Sequence, residues 1–511
     1  MNQQEVRMDL DQPLAQGSAL ENDRLSRHSF AESAVHALKA VSPRGGFVLS
    51  VEGAWGSGKT SALAMVEDLL LQQKETDEIK RPIIVHFNPW LVGDRDALLR
   101  NFLARIAQAL KLHDPADGAK KVAREIRAYA KAFDVVKLIP GAEPWASIVK
   151  SVFESVGHAT DSIAEYKMPN LEEHKQRVKD ALYEYPRPII VFIDDIDRLF
   201  PPEVFEMVRI IKAVGELPNV GYVLAWDPTY VSESLKSLKV AHPEMYLDKV
   251  VQARIPLSTL SRLSRQTLFK NALEKLHPDA RTSYFKGDED RLFNLYFSGL
   301  RELLEQPRDV IRLFNTVHII EPALRGEVVL ADIVGLAALM TKAAPVFELV
   351  SRKPHYFAGP ASKDQVSKDK ALEMISGGAQ ARETALEGCS SPIDAKRVVH
   401  FLFPLVAKCD NSPVKESTSE VGGCIANPSR LFVALQRGFS ASDISFESVR
   451  KLLLEPAKRN EVLHSLTEEN CMEFMEFLGD TVKAFSEKGI ADVESLCLAL
   501  GTLPDKKPFI N

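Results

Sequence analysis

Cysteine is scarce in this sequence and confined to one end of it. The 511 residues contain five cysteines, all in the last quarter of the chain and none in a CxxC pair. An odd number of widely spaced thiols supports neither a zinc site nor a disulfide framework. Buried free thiols in a reducing compartment are the simplest interpretation, so we expect a cytoplasmic protein.

Long hydrophobic runs and a surplus of basic residues are also missing. No apolar stretch approaches the roughly 18 residues that a membrane-spanning helix requires, and the polar N-terminus lacks a charged-then-apolar signal segment. The sequence therefore predicts no membrane span. Lys and Arg number 64 against 70 Asp and Glu, a net charge of −6. This balance argues against non-specific nucleic-acid binding as the main activity, although a local basic patch is compatible with it.

A complete phosphate-binding loop stands near the N-terminus. Residues 53–60 have the form GxxxxGK[ST], between a predicted strand at 47–51 and a predicted helix after the loop. The glycines allow backbone N–H groups to turn toward phosphates, Lys59 supplies a positive charge for the β- and γ-phosphates, and the Thr60 hydroxyl suits Mg²⁺. The predicted nucleotide-binding residues of the loop are Gly53, Trp55, Gly56, Ser57, Gly58, Lys59, Thr60 and Ser61.

A cluster of acidic residues forms the second nucleotide motif. The apolar run 188–193 predicts a strand buried on both faces of a parallel sheet, and Asp194, Asp195 and Asp197 follow it. A carboxylate at such a strand tip can hold Mg²⁺, and we assign this role to Asp194. Asp195 then stands where it can orient or deprotonate the attacking water, with an acidic helix cap as the alternative. Asp197 is balanced between a functional role and a structural pairing with a nearby arginine.

Strands and helices alternate along the first half of the chain. Apolar runs at 47–51, 82–87, 188–193, 221–226 and 250–257 are separated by helical segments, which is typical of a parallel sheet with its ligand at the carboxyl ends of the strands. We therefore predict an α/β P-loop NTPase whose parallel sheet is flanked by helices, with a helical insertion, a helical lid and an all-α C-terminal region. The predicted boundaries are a flexible N-terminus at 1–22, an NTPase core at 23–258 with the insertion at 113–182, a lid at 259–345 and a C-terminal domain at 346–511.

Together with three further motifs, these residues resemble the KAP family of P-loop NTPases, within the wider STAND and AAA-like ATPases. The added motifs are Phe87-Asn88-Pro89-Trp90, Tyr246–Gln252 and Pro307–Asn315, and the likeness covers residues 20–345. It implies Mg²⁺-dependent ATP binding and hydrolysis that drive conformational change and assembly with partner proteins. Many family members carry membrane helices between the two nucleotide motifs, whereas the apolar runs of this insertion are too short. The size and helical C-terminus are similar to those of the ATPase component of the Qat anti-phage defence system, which implies a role in bacterial defence and partners encoded nearby.

The resemblance also implies roles for three residues outside the loop. Arg308 matches an arginine that touches the γ-phosphate and senses its loss, with a surface salt bridge to Asp309 or Glu305 as the alternative. Lys249 matches a finger that acts on the neighbouring subunit of a homo-oligomer, with an ordinary surface lysine as the alternative. Asp227, at the tip of the fourth strand, falls beside the γ-phosphate, with contact to water or metal as the alternative to contact with phosphate.

Three other functions compete with an ATPase. A nucleotide-stabilised scaffold with little turnover would recruit proteins through the helical C-terminal region, but it has no need of a water-orienting Asp195. A GTPase needs an [NT]KxD sequence after a strand, and the nearest match, Ala361–Asp364, lies outside the predicted sheet. A small-molecule kinase needs an acceptor pocket and an arginine-rich lid, neither of which the sequence reveals.

Overall fold

The computed structural model describes most of the chain. The described residues are 11–72, 81–92, 97–137, 171–282, 284–285, 288–360, 368–412, 423–438, 444–467, 470–471, 474–475, 477–479, 482 and 492–501. They divide into two compact units. The sheet unit comprises Gln12–Thr259, and the helical unit comprises Leu260–Asn511 together with Asp11. The centre of the predicted insertion, 138–170, and the GTPase-like sequence Ala361–Asp364 lie outside the described residues.

A parallel sheet forms the centre of the sheet unit. Its strands within the described residues are β1 (Phe47–Glu52), β2 (Ile83–Phe87), β3 (Ile189–Ile193), β4 (Val220–Trp226) and β5 (Ala253–Pro256). Their spatial order is β2-β3-β4-β1-β5, and all neighbouring strands run parallel. Every residue of β3 and β4 is buried, because helices cover both faces of the sheet. The parallel α/β fold predicted from the sequence is confirmed.

Helices cover the two faces of this sheet unequally. The helices of the sheet unit are α1 (His28–Leu38), α2 (Lys59–Gln72), α3 (Leu98–His113), α4 (Asp117–Lys137), α5 (Leu171–Tyr183), α6 (Pro201–Val214), α7 (Pro228–Ser237) and α8 (Pro243–Asp248). Helices α1 and α2 share a buried core with Phe192 and Val223, whereas α3 to α8 share a second core with Val191 and Tyr222. Successive strand residues thus point into opposite cores, as the pleat of a strand requires.

The segment before α1 is held by a buried carboxylate. Asp68 of α2 accepts hydrogen bonds from the backbone N–H groups of Gly17 at 2.6 Å and of Ala19 at 2.7 Å. Both Asp68 and Ala19 are buried. Because a buried carboxylate is costly without donors, these contacts favour one path for the segment. The sheet unit begins at Gln12, inside the segment 1–22 that we predicted to be flexible, and residues 1–10 of that segment lie outside the described residues.

The helical unit has a single hydrophobic core across the described residues. Its helices are Arg262–Glu274, Asp288–Leu295, Tyr296–Leu300, Arg301–Leu303, Pro307–Leu324, Leu330–Lys342, Ala344–Arg352, His355–Ala358, Lys368–Gly377, Ala379–Glu387, Pro392–Leu402, Pro404–Cys409, Pro428–Gln436, Phe446–Leu454, Arg459–His464 and Val493–Gly501. Gly335 packs so tightly that a Cβ atom there would lie 2.6 Å from Leu402. Since this contact crosses the expected boundary between 345 and 346, the predicted lid and C-terminal domain fall within one compact unit.

Membrane-spanning potential is weak among the described helices. None of them alone combines the length and the apolar character that a span needs. Helices Leu330–Lys342 and Ala344–Arg352 meet these criteria only when they are taken as a pair, and they are bent by 117° where they meet. Most residues of the first helix are buried in the core of the helical unit.

Candidate nucleotide-binding site

The phosphate-binding loop connects the carboxyl end of β1 to the N-terminus of α2, which begins at Lys59. Gly56 and Gly58 have φ angles of 82° and 89°, which glycine adopts at little cost. A Cβ atom at Gly53 would lie 2.6 Å from the Ser57 hydroxyl, so a larger residue there would require the Ser57 side chain to move. The strand, loop and helix therefore follow one another as the sequence predicts.

Two properties of the loop suit an anion. The first turn of α2 contains no acidic side chain, so its unpaired N–H groups and the positive end of its dipole are left for a ligand. The Ser57 hydroxyl is buried without a hydrogen-bond partner among the described residues. The Ser61 hydroxyl, in contrast, accepts a hydrogen bond from Leu14 N at 3.1 Å. The backbone N–H of Ser61 is therefore the group that is left for a phosphate. These residues fit a phosphate group.

Lys59 lies buried at the base of the loop. Its Nζ donates hydrogen bonds to the backbone oxygens of Gly53 at 3.0 Å and of Ala54 at 3.3 Å. A carboxylate oxygen of Asp197 lies 2.8 Å from the same nitrogen. The sequence left two roles open for Asp197, a functional one and a structural pairing with a nearby arginine. In the structure Asp197 pairs with Lys59 of the phosphate-binding loop.

Thr60 and Asp194 are in direct contact. Asp194 follows β3, and the Thr60 hydroxyl donates a hydrogen bond to its carboxylate. Burial raises the pKa of Asp194, the charges of Asp195 and Asp197 raise this pKa further, and the hydrogen bond from Thr60 opposes them. A hydroxyl beside a buried carboxylate is a donor set that a Mg²⁺ ion accepts. The two residues predicted to bind Mg²⁺ thus fit that ion.

Asp195 has both carboxylate oxygens engaged. One accepts a hydrogen bond from Asn88 Nδ2 at 2.5 Å, and the other lies 2.6 Å from Arg198 Nε. Asp195 itself has φ 60°, a left-handed conformation that aspartate tolerates better than most residues. Asn88 reaches it because β2 and β3 are neighbours, with Phe87 opposite Ile193. The structure therefore shows that the Asn88 side chain contacts Asp195. The sequence analysis had assigned no role to this side chain.

Two tryptophans flank Arg198 at the edge of the site. The Arg198 guanidinium lies 5.6 Å from the ring centre of Trp55 and 5.8 Å from that of Trp90. These distances are within the range of cation–π attraction. About half of each tryptophan remains exposed. Arg198 therefore connects the phosphate-binding loop to the turn after β2 and to Asp195.

Arg27 is a residue of this site that sequence reasoning missed. Its Nη1 donates to the backbone oxygen of Gly58 at 3.4 Å, and its side chain is buried. Burial lowers the pKa of Arg27, and the charge of Asp23 opposes this effect. The available signal was its position just before α1, the helix that precedes the first strand. A buried guanidinium beside a phosphate-binding loop is suited to an anionic ligand.

The remaining predicted residues have other contacts. Asp227 caps α7 and accepts hydrogen bonds from Thr229 N at 3.0 Å and from Tyr230 N at 3.5 Å. Lys249 is exposed just after α8, and its backbone oxygen accepts a hydrogen bond from a lysine side chain. Arg308 belongs to the helical unit.

Arg308 has an acidic neighbour that we had not predicted. Its Nε lies 2.8 Å from Asp11, so its ion pair is formed neither with Asp309 nor with Glu305. Asp309 instead pairs with Lys342 at 2.9 Å. The structure thus brings together Lys59, Thr60, Asp194 and Asp195 in the sheet unit, whereas the roles of Asp227, Lys249 and Arg308 stay predictions.

Similarity to known proteins extends over more than half of the chain. A profile of the KAP family P-loop domain matches residues 27–324, which include the phosphate-binding loop and the acidic motif. The phage T7 exclusion protein of Escherichia coli strain K12 is 23% identical over 325 residues. That match spans 61% of this chain and only 43% of the exclusion protein.

Solved structures show a much weaker likeness. The Aeropyrum pernix ORC2 protein in its ADPNP-ADP complexes is 11% identical with a TM-score of 0.31, over 74% of this chain and 82% of that one. The Aeropyrum pernix ORC1 protein in complex with DNA is 13% identical with a TM-score of 0.33, over 82% of this chain and 96% of that one. Scores of this size carry no conclusion about this chain.

Proposed function

The chain belongs to the KAP family of P-loop NTPases, and on that premise we propose that it binds and hydrolyses ATP in the presence of Mg²⁺. The observation that carries the proposal is the convergence of Lys59, Thr60, Asp194 and Asp195 at the carboxyl edge of one sheet. A phosphate ligand, a divalent cation and a water-orienting carboxylate are the parts that phosphoryl transfer to water requires.

Each side chain has a distinct task in this proposal. Lys59 binds the β- and γ-phosphates, and Thr60 together with Asp194 holds the cation. When bound, Mg²⁺ neutralises charge on the phosphates and orients them. Asp195 orients the attacking water or accepts its proton, while Asn88 and Arg198 fix the direction of its carboxylate.

The charge of the site supports the requirement for a cation. Lys59, Arg198 and Arg27 contribute three positive charges, and Asp194, Asp195 and Asp197 contribute three negative ones. The side chains of the site therefore balance, and a nucleotide triphosphate adds negative charge that they do not offset. A divalent cation offsets this charge.

Binding measurements with a charge-removing variant test this proposal. We expect wild-type protein to bind ATP by calorimetry only when Mg²⁺ is present, to prefer ATP to GTP in competition, and to release inorganic phosphate. Lys59→Ala should lose detectable ATP binding, because it removes the ammonium that binds the β- and γ-phosphates. Tighter binding of GTP than of ATP, or unchanged ATP binding by Lys59→Ala, would contradict the proposal.

We also propose that the ATPase acts in anti-phage defence through partner proteins. The support is the similarity to the phage T7 exclusion protein, which covers less than half of that protein. Membership of the Qat system, and partners encoded nearby, stay predictions from the resemblance. The gene and its genomic neighbours should lower phage plating efficiency, and the Lys59→Ala variant should not. Equal protection by both forms would show that nucleotide binding is not needed.

A scaffold with little turnover is the alternative function. The observation that favours it is that both Asp195 oxygens already have a partner, Asn88 for one and Arg198 for the other, so a water molecule shares each oxygen with another donor. Single-turnover measurements separate the two proposals. A scaffold would bind ATP and retain it unhydrolysed, with or without candidate partners, whereas the ATPase would convert bound ATP to ADP.

A further inference from the structure

The Lys59 ammonium is surrounded by acceptors that belong to the chain itself. Its Nζ lies 3.0 Å from Gly53 O, 3.3 Å from Ala54 O and 2.8 Å from Asp197 Oδ2. An ammonium group has three N–H donors and no acceptor. Two of these donors are directed at Gly53 O and Ala54 O, and the ammonium also pairs with the Asp197 carboxylate, so a phosphate oxygen that binds Lys59 competes with these acceptors.

Asp197 differs from the other two acceptors because it carries a full charge. The Lys59 and Asp197 side chains are 9% and 5% exposed, so both charges are removed from water. Asp197 Oδ2 forms no hydrogen bond of standard geometry within the described residues, so its contact with Lys59 is a close ion pair. Removal of the partner of a buried charge destabilises the folded protein strongly, because the remaining charge is uncompensated. The exchange of Asp197 for phosphate is therefore the step with the larger electrostatic consequence.

Backbone geometry directs the Asp197 side chain to this position. The left-handed conformation of Asp195 is followed by a single helical turn, Ile196–Arg198, in which Ile196 and Asp197 are buried. The turn thus sends Arg198 toward the tryptophans and Asp197 toward the base of the loop. Asp197 takes part neither in the hydrogen bond between Thr60 and Asp194 nor in the contacts that Asn88 and Arg198 make with Asp195.

We propose that Asp197 is a counter-ion of Lys59 that competes with the phosphates of the nucleotide, so that it weakens nucleotide binding and speeds product release. This inference rests on the proposed nucleotide binding and adds a residue that tunes it. Asp197 neutralises the buried lysine whenever a phosphate does not. When ADP leaves, the carboxylate returns to Lys59 and stabilises the vacated loop.

The proposal predicts two effects of opposite sign for Asp197→Asn. Without nucleotide, the protein should become less stable, because the Lys59 charge loses its partner. With nucleotide, binding should tighten, because the competing charge is gone. A residue that only supports the fold would weaken both properties. A residue that positions Mg²⁺ or phosphate would weaken binding.

Calorimetry and stopped-flow kinetics of Asp197→Asn measure these effects. We expect the Kd for ADP with Mg²⁺ to fall about tenfold or more. A change of this size corresponds to the free energy of one hydrogen bond to a charged group. The release of a fluorescent ADP analogue should slow by a similar factor. The melting temperature without nucleotide should fall, while the increase on adding saturating ADP should exceed that of wild type.

Two matched variants separate charge from shape. Asp197→Glu keeps the negative charge and should return the affinity toward the wild-type value. Asp195→Asn makes the same chemical change two residues earlier, at a carboxylate that does not contact Lys59, and should leave ADP affinity within about threefold while lowering turnover.

Each result of these experiments bears on the proposal. Unchanged or weaker ADP binding by Asp197→Asn overturns it. If this variant unfolds without nucleotide, recovery of the fold on adding ADP and Mg²⁺ supports the proposal, and failure to recover contradicts it. If wild-type protein binds no nucleotide, the proposed function itself is wrong. If wild type binds and only the expected tightening is missing, the counter-ion role alone is wrong.

Discussion

Replacement of Asp195 by asparagine is the most direct test of the catalytic assignment. In the structure, one oxygen of Asp195 accepts a hydrogen bond from Asn88 and the other pairs with Arg198. An asparagine of the same shape offers one acceptor and one donor. Since Asn88 Nδ2 and Arg198 both donate, one of the two contacts must be lost, and the negative charge disappears with it.

The two consequences of Asp195→Asn differ greatly in size. The Asp195 and Arg198 side chains are 18% and 39% exposed, so water screens their ion pair and the free energy of unfolding should fall by only about 1 kcal/mol. The loss of a group that orients or deprotonates water costs about 10²–10⁴ in rate. Turnover should therefore fall far more than stability.

Phosphate release at saturating ATP and Mg²⁺ measures this effect, and calorimetry checks that ATP still binds. Asp117→Asn is a matched control in the same unit, because Asp117 is an exposed aspartate outside the motifs of the site and pairs with Lys120 at 3.0 Å. The control should keep wild-type turnover. If Asp195→Asn retains activity within a few-fold of wild type, Asp195 is not the water-orienting residue.

Three further predictions concern residues whose roles are open. Lys249→Ala should lower turnover with little effect on ATP affinity. If Lys249 acts on a neighbouring subunit, mixing this variant with Lys59→Ala should restore activity. No recovery in oligomers shown to contain both variants means that the site is complete within one chain. Arg308→Ala should lower turnover if the arginine senses the γ-phosphate, whereas an equal loss in Asp11→Asn indicates that their ion pair is the cause. Burial raises the pKa of Asp194, so the folded protein binds this proton more tightly than the unfolded chain does. Without a cation, the free energy of unfolding should therefore decrease as pH rises through the raised pKa. Mg²⁺ binding needs the ionised form, so the Mg²⁺-dependent affinity for ATP, measured by calorimetry as the pH is lowered, should weaken at a higher pH than an ordinary aspartate would cause. Weakening only at the pH of an ordinary aspartate contradicts this.

Local sequence was sufficient for the parts of the fold that depend on neighbouring residues. The phosphate-binding loop could be predicted because its glycines, Lys59 and Thr60 are adjacent in the chain and lie between a strand and a helix. The parallel sheet could be predicted because a strand buried on both faces requires a continuous apolar run, as in β3 and β4. These signals concern short windows of sequence, and long-range packing did not override them.

The expected domain boundaries depend on long-range packing, which composition does not show. Residues 12–22 are polar and were expected to be loose, yet Asp68 provides the acceptors that hold Gly17 and Ala19. The helices on either side of residue 345 were assigned to different domains, yet Gly335 and Leu402 pack together. Hydrophobic periodicity identifies the buried face of a helix but does not identify the partner of that face.

The contacts between distant residues were decided only by the tertiary structure. Asn88 reaches Asp195, 107 residues away in sequence, because β2 and β3 are neighbouring strands. Asp197 reaches Lys59 because the turn after β3 directs it to the base of the loop that follows β1, although β4 lies between these strands. Strand order and the left-handed conformation of Asp195 are properties of the whole sheet unit, so no local pattern in one sequence specifies which acidic residue pairs with the loop lysine.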